Sequence, residues 1–339
     1  AAGAVIGNVS VTDPDAGDTH TYSVDDARFE VVGGVLRLVA GQSLDFETEP
    51  SVSVIITATD AGGLSYNEAF TVTVTNVNEA PTDIALSNSS LAENTDTTGG
   101  LAVGNLSTTD DDAGDTFSYA VVGGADAAVF SISGNQLVIT DGVLDFETKN
   151  SYVVDVEVTD QGGAGLTFTK SFTVTVTNVN EAPTVLALSN SNLDENVAAG
   201  TTVGNFSTTD ADTGDTFTYN LVAGVGDTDN AAFTIVGDQL QINASPDFES
   251  QSSYDIRVRT TDAGGLSTEQ TFTVTINDLN EAPTDIALSN SSIADNTDTS
   301  SGVTVGNLSA TDVDAGDTFS YAVVGGADAA VFSISGNQL

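Results

Sequence analysis

Cysteine, methionine and tryptophan are absent, and cations nearly so: six Lys and Arg and one His stand against 49 Asp and Glu in 339 residues. Without cysteine there is no disulfide framework to staple small modules, and the redox compartment cannot be read. The lone His20 falls at a strand edge, where a surface residue is expected, and no Ser-His-Asp or Cys-His nucleophile system can be assembled, so no enzyme is expected. The formal charge of −43 excludes nucleic acid and disfavours anionic membrane surfaces, since both need clustered Lys and Arg. No apolar run approaches the roughly 18 residues of a membrane-spanning helix, so this segment is not expected to insert. Ala1 to Val9 lack the charged and apolar regions of a signal peptide.

What is present is repetition. Asn78, Asn180 and Asn280 sit in Asn-Val-Asn-Glu-Ala-Pro or Asp-Leu-Asn-Glu-Ala-Pro runs, spaced by 102 and 100 residues. Asp-Phe-Glu begins at Asp45, Asp145 and Asp247, and Thr-Asp-x-Gly-Gly has its Asp at Asp60, Asp160 and Asp262, each spaced by 100 and 102. Independent motifs holding one period make an array. It divides into a partial repeat 1–79, complete repeats 80–181 and 182–281, and a partial repeat 282–339. Residues 315–339 copy residues 113–137 without a change, which points to recent duplication and a parent with further copies.

Within a repeat the hydrophobic period is two. Tyr152, Val154, Val156 and Val158 share one face of Ser151–Thr159, while Phe172, Val174 and Val176 share one face of Ser171–Thr177. Shorter strands are expected at Ile84–Ser87, Leu101–Thr108, Thr116–Val122, Val129–Ser133 and Gln136–Thr140, separated by Gly, Asn and Asp turns. About seven strands in roughly a hundred residues predict an all-β, tandem Greek-key β-sandwich. Tyr22, Tyr119, Tyr219 and Tyr321 recur at one position and are expected in the core or at a corner. The connections at Pro81, Pro183 and Pro283 are too short and apolar-flanked to be flexible linkers, so modules should sit end to end.

The acids collect at turns and strand ends. Two carboxylates about 4 Å apart repel by roughly 1 kcal/mol in water and more when partly buried. Gathered at a narrow joint, they need a cation among them; a hard ion taking six to eight oxygens, calcium, suits them better than magnesium. The affinity of turns for Asp, Asn and Gly explains their location but not the fixed Glu47, Glu147 and Glu249. A glycosidase acid and nucleophile pair, such as Asp145 with Glu147, fits poorly with a copy in every repeat and no Trp platform. The Asn-x-Ser matches at Asn88 and Asn105 are short enough to arise by chance.

Four motifs in fixed order carry a resemblance: Leu144-Asp145-Phe146-Glu147, Asp210-Ala211-Asp212, Thr261-Asp262-Ala263-Gly264 and the junction run. The sequence resembles the cadherin-like tandem repeats of large bacterial surface adhesins or filament proteins, over essentially its whole length. That resemblance implies calcium between successive modules, an extracellular or cell-surface setting, and a structural, adhesion-related role. It implies ligands Asp45, Glu47, Asn76, Asn78, Glu79, Asp110, Asp112, Asp115 and Asp160 at the first joint. For the second it implies Glu93, Asp145, Glu147, Asn178, Asn180, Glu181, Asp210, Asp212, Asp215 and Asp262. For the third it implies Glu195, Asp247, Glu249, Asp278, Asn280, Glu281, Asp312, Asp314 and Asp317. Asp13, Asp15, Asp18 and Asp60 would serve a joint before residue 1.

The chain also departs from that pattern. Asn76 and Asn178 stand where the family has an Asp that only Asp278 keeps, Pro246 replaces a Leu, and Asp295 replaces the early Glu of the other repeats. Neighbouring repeats of the same chain are the expected partners, with other copies in a fibre a further one. The alternative is a directly adhesive module making homophilic or glycan contacts.

Overall fold

The computed structural model describes residues 3–163 and 165–339, so Ala1 and Ala2 of the Ala1–Val9 reading lie outside the described residues. Two compact units divide the chain, 1–179 and 180–339, and each is taken by itself. In the first unit, strands β1 (Val5–Asn8), β2 (Thr21–Val24), β3 (Phe29–Val32), β4 (Val35–Leu38), β5 (Ser51–Thr59) and β6 (Ser65–Thr73) form two three-stranded sheets. The complete repeat that follows has β7 (Asp83–Leu86), β8 (Ser90–Ala92), β9 (Leu101–Thr109), β10 (Phe117–Gly123), β11 (Phe130–Ser133), β12 (Gln136–Ile139), β13 (Ser151–Asp160) and β14 (Thr167–Thr177).

Its sheets run β10-β13-β14-β8 and β11-β12-β9-β7. Alternation along β13 turns Tyr152, Val154, Val156 and Val158 inward, where the three valines are fully buried. They meet Ile84, Leu137, Ile139 and Val174 from both sheets in one apolar core. Burying such a side chain contributes roughly 1.5–3 kcal/mol. Tyr119 packs against this core and its hydroxyl meets Thr108 Oγ1 at 2.7 Å, as its recurrence suggested.

The first expected strand, Ile84–Ser87, is β7 shifted by one residue, and a further short strand, β8, follows it in the other sheet. β7 pairs antiparallel with β9, whereas β8 pairs parallel with β14, a strand not foreseen because three residues carry no visible period. Asn88 holds the crossing by donating to Ser90 O at 2.9 Å and Val103 O at 3.0 Å. Gly104 lies so close beneath that a Cβ there would meet the Asn88 backbone at 2.8 Å. The start expected at Val129 belongs to a single 3₁₀ turn, Ala127–Val129.

The second unit repeats the plan with β15 (Val185–Leu188), β16 (Asn192–Asp194), β17 (Thr202–Thr209), β18 (Thr218–Leu221), β19 (Phe233–Val236), β20 (Gln239–Ile242), β21 (Ser253–Thr261) and β22 (Ser267–Asn277). The sheet orders β15-β17-β20-β19 and β16-β22-β21-β18 match those of the preceding repeat. Beyond them, β23 (Asp285–Leu288) and β24 (Leu308–Thr311) pair with each other.

This topology gives each repeat two polar ends. At one, β9 finishes beside the start of β7, and β10 starts beside the end of β13, which brings Asp110, Asp112, Asp115 and Asp160 together. At the other, β8 and β14 run out together into Glu93 and Asn178, close to the turn carrying Asp145 and Glu147.

Candidate metal centre

The first unit contains both sides of a joint. Here the connection Asn76–Pro81 runs onto the acid-bearing end of the repeat that follows it. Asp112, only 6 % exposed, accepts from Asn76 Nδ2 at 3.0 Å and from the Glu79 amide at 2.7 Å. Asp160, fully buried, accepts from the Gly162 amide at 2.6 Å and from Asn78 Nδ2. One oxygen each from Glu47, Glu79 and Asp112 falls within 4.8 Å of the others. A cavity of about 200 Å³ opens beside them, with Asp45, Glu47, Glu79 and Asp111 in its wall.

In the second unit, the end of the complete repeat is built alike. Asp212 accepts from the Glu181 amide at 2.7 Å, and Asp262 accepts from Asn180 Nδ2 at 3.1 Å and the Leu266 amide at 2.8 Å. Oxygens of Asp210, Asp215 and Asp262 lie within 4.8 Å of one another, as do those of Glu195, Glu249 and Asp278 at the repeat's far end. The following acids Asp312 and Asp314 adopt the same turn, Asp314 taking the Glu281 amide at 2.7 Å. Asp13, Asp18 and Asp60 form another such triad in the first repeat.

Most of these carboxylates hold one oxygen in place with a local N–H and leave the other with nothing. Asp110 Oδ2, Asp115 Oδ2, Asp210 Oδ2, Asp215 Oδ2, Asp312 Oδ2, Asp314 Oδ1 and Glu281 Oε2 are buried and accept no hydrogen bond. Burial, reinforced by neighbouring carboxylates, raises the carboxyls of Asp115, Asp215, Asp278, Glu79, Glu249 and Glu281 above their ordinary values. Asp160 goes the other way because the Gly162 amide donates to it. Buried anionic oxygens with no donor are costly unless a cation completes them. An all-oxygen set rich in carboxylates, with amide oxygens from Asn beside them, is the donor set calcium takes.

The early Glu acts as a stitch. Glu93 Oε2 accepts from the Phe146 amide at 3.0 Å and Oε1 from the Val179 amide at 2.6 Å. Glu195 does the same with Phe248 at 2.9 Å and Leu279 at 2.7 Å. Each therefore ties the Asp-Phe-Glu turn to the outgoing connection. By contrast, Asp45, Asp145 and Asp247 cap their own turns, Asp145 taking the Thr148 amide at 2.9 Å and hydroxyl at 2.7 Å. Those bonds lower the Asp45 and Asp145 carboxyls, the Thr48 and Thr148 side chains leading.

A model of the cadherin domain matches residues 88–177 and 189–277, together more than half of the chain. The chain belongs to the cadherin family. The Drosophila melanogaster protocadherin-like wing polarity protein stan is 26 % identical over 354 residues, covering 98 % of this chain and 10 % of its own length. Mouse protocadherin Fat 4 is 29 % identical over 282 residues, covering 79 % of this chain and 5 % of its own length. This chain thus spans a tenth or less of these relatives. Among solved structures, the protocadherin gammaB4 extracellular domain aligns with a TM-score of 0.64 at 23 % identity, covering 99 % of this chain and 58 % of that one. Mouse cadherin-23 EC22-24 aligns at 0.53 and 20 %, covering 82 % and 93 %.

Two features of these cadherin repeats escaped the sequence reading. Asn94, Asn196 and Asn296 take left-handed backbone with φ of 61°, 64° and 60°, turning the chain just after the early Glu or Asp295; an Asn recurring at that place was the available signal. Asn196 also donates to Glu281. His20, expected at the surface, is instead largely buried and meets Asp13 Oδ2 at 2.9 Å. It takes the position that Phe117 holds in the following repeat, where Phe117 packs against the core.

Proposed function

We propose that these repeats are calcium-rigidified structural extenders of an extracellular adhesion protein, with calcium held where the connection meets the acidic end of a repeat. The observation that carries this is the set of buried carboxylate oxygens without donors, reproduced at the same turn in successive repeats. At the first joint, Glu47, Glu79, Asp110, Asp112, Asp115 and Asp160 would hold the ion, with Asp45, Asn76 and Asn78 completing the surroundings. At the third, Glu195, Asp247, Glu249, Asp278, Asn280, Glu281, Asp312, Asp314 and Asp317 would do so. Glu93, Asp145, Glu147 and Asn178 supply the same side-chain types at the end of the first unit, and Asn180, Glu181, Asp210, Asp212, Asp215 and Asp262 at the start of the second. A bound divalent ion offsets the mutual repulsion of these groups and fixes the orientation of one repeat on the next.

The bacterial surface or filament setting is part of this proposal. The unchanged copy of residues 113–137 at 315–339, a cysteine-free composition and the high acidity support it, while the relatives named above are animal proteins. The test is a calcium titration followed by small-angle scattering and limited proteolysis. Chelation should broaden the distribution of dimensions and open the Asn76–Pro81 connection to protease first. Unchanged scattering and unchanged cleavage on chelation would overturn the reading. A mass that grows with concentration at millimolar calcium would instead favour a directly adhesive module.

A further inference from the structure

Within the connection, the first and third joints differ in ligand type at one position. Asn76 in the first stands where Asp278 stands in the third, each two residues before the junction asparagine. The consequence is visible on the facing acid. In the first joint Asp112 Oδ1 receives the Asn76 amide at 3.0 Å, so a neutral donor already occupies that oxygen. In the third, the equivalent oxygen, Asp314 Oδ1, is buried and accepts nothing, and Asp278 presents a second carboxylate in place of the amide. The backbone around them does not account for the difference, since Asp112 and Asp314 both take the amide of the junction Glu at 2.7 Å.

We infer that the joints are graded, with Asp278 making the third a tighter calcium site and Asn76 making the first a weaker one whose Asp112 is already hydrogen-bonded without metal. This deepens the function proposed above and rests on it. Two physical effects act together. The acid adds one formal negative charge to the ligand set, and ligand charge tunes calcium affinity. The amide also gives Asp112 a hydrogen bond that an incoming cation must displace, whereas Asp314 has none on that oxygen to lose. Metal-free, the order of stability reverses: the Asn76 amide relieves Asp112 in the first joint, whereas Asp278 adds like charge against Asp314 in the third. As calcium falls, the array therefore releases at the first joint before the third.

The test compares the 339-residue chain with its Asn76→Asp and Asp278→Asn variants by hydrogen exchange, following peptides over 76–81 and 278–283 across a calcium titration. Asn76→Asp should lower the calcium midpoint for protection of 76–81 by about tenfold, and Asp278→Asn should raise that of 278–283 by about tenfold. Each should leave the other joint unmoved. A metal-free readout accompanies it: in chelator, Asp278→Asn should raise the thermal midpoint and Asn76→Asp should lower it. Midpoints that respond to calcium but stay where they were in both variants would overturn the grading alone. Peptides that gain no protection with calcium in any of the three proteins would overturn the calcium function itself.

Discussion

Gly162 shows how much a site can depend on a missing side chain. An added Cβ there would overlap Asp115 Oδ2, and one at Gly264 would overlap the Asn180 side-chain amide. Neither glycine is in the left-handed region, so the constraint is space for a ligand and not backbone freedom. Gly162→Ala should therefore fold normally, with a thermal midpoint within a few degrees, yet bind calcium several-fold more weakly at the first joint by calorimetry. Asp126 makes a contrasting case away from the joints. It pairs with Lys149 and accepts the Val153 amide at 2.8 Å, and these bonds hold its carboxyl below the ordinary value, Lys149 first. The stabilisation is fully present above the unfolded Asp value and disappears as pH falls through the depressed folded one. Asp126→Asn should lose about 1–2 kcal/mol at pH 7, with variant and wild type converging only as pH falls below the ordinary Asp value in urea titrations. At this scale the sequence revealed which residues are acidic and periodic. It did not reveal that Asp145 spends its bonds on its own turn, or that Asn94 is left-handed, because both follow from local geometry with no hydrophobic signature.

Among elements, the long strands were legible because alternation over nine or ten residues leaves one register. β13 buries the residues its period predicts, and β14 only extends further toward its start than the sequence suggested. β8 and β16 were hidden, since three residues cannot display a period and their pairing with β14 and β22 is parallel and remote in sequence. Yet these small strands deliver Glu93 and Glu195 to the joints. Glu195→Ala would leave the Phe248 and Leu279 amides without their acceptor and should destabilise the second unit by about 1–3 kcal/mol even in chelator. Glu195→Gln, which keeps an acceptor oxygen, should lose less in the same denaturation experiment. In the core, Val156→Ala should cost about 2–3 kcal/mol in calcium or chelator alike, which separates packing from metal.

For the molecule as a whole, all six Lys and Arg are already paired with carboxylates: Arg28, Arg37, Lys149, Lys170, Arg257 and Arg259 each have an acidic partner. The net charge of −43 is therefore exposed to self-repulsion, with no unpaired Lys or Arg among the described residues to temper it. Raising monovalent salt from low ionic strength to 0.5 M should raise the thermal midpoint of the calcium-free chain more than that of the calcium-loaded chain. An equal rise in both would show that the joints carry no special share of the repulsion. Repetition, fold class and the acids of the joints were readable from the chain alone, because a period near one hundred residues displays each motif several times. The unequal joints were half readable: the Asn-for-Asp exchange is in the sequence, but its hydrogen bond to Asp112 is not.

The strap between repeats offers its amides at positions two apart. Leu279 gives its N–H to Glu195, and Glu281 gives its N–H to Asp314. That is the interval at which an extended backbone returns to the same side. Chain length at this point is accordingly counted in pairs: a single inserted residue would rotate one amide outward, whatever its side chain, while a substitution leaves both in place. Families of such arrays should hold the parity of the strap even where its letters away from the ligand positions change.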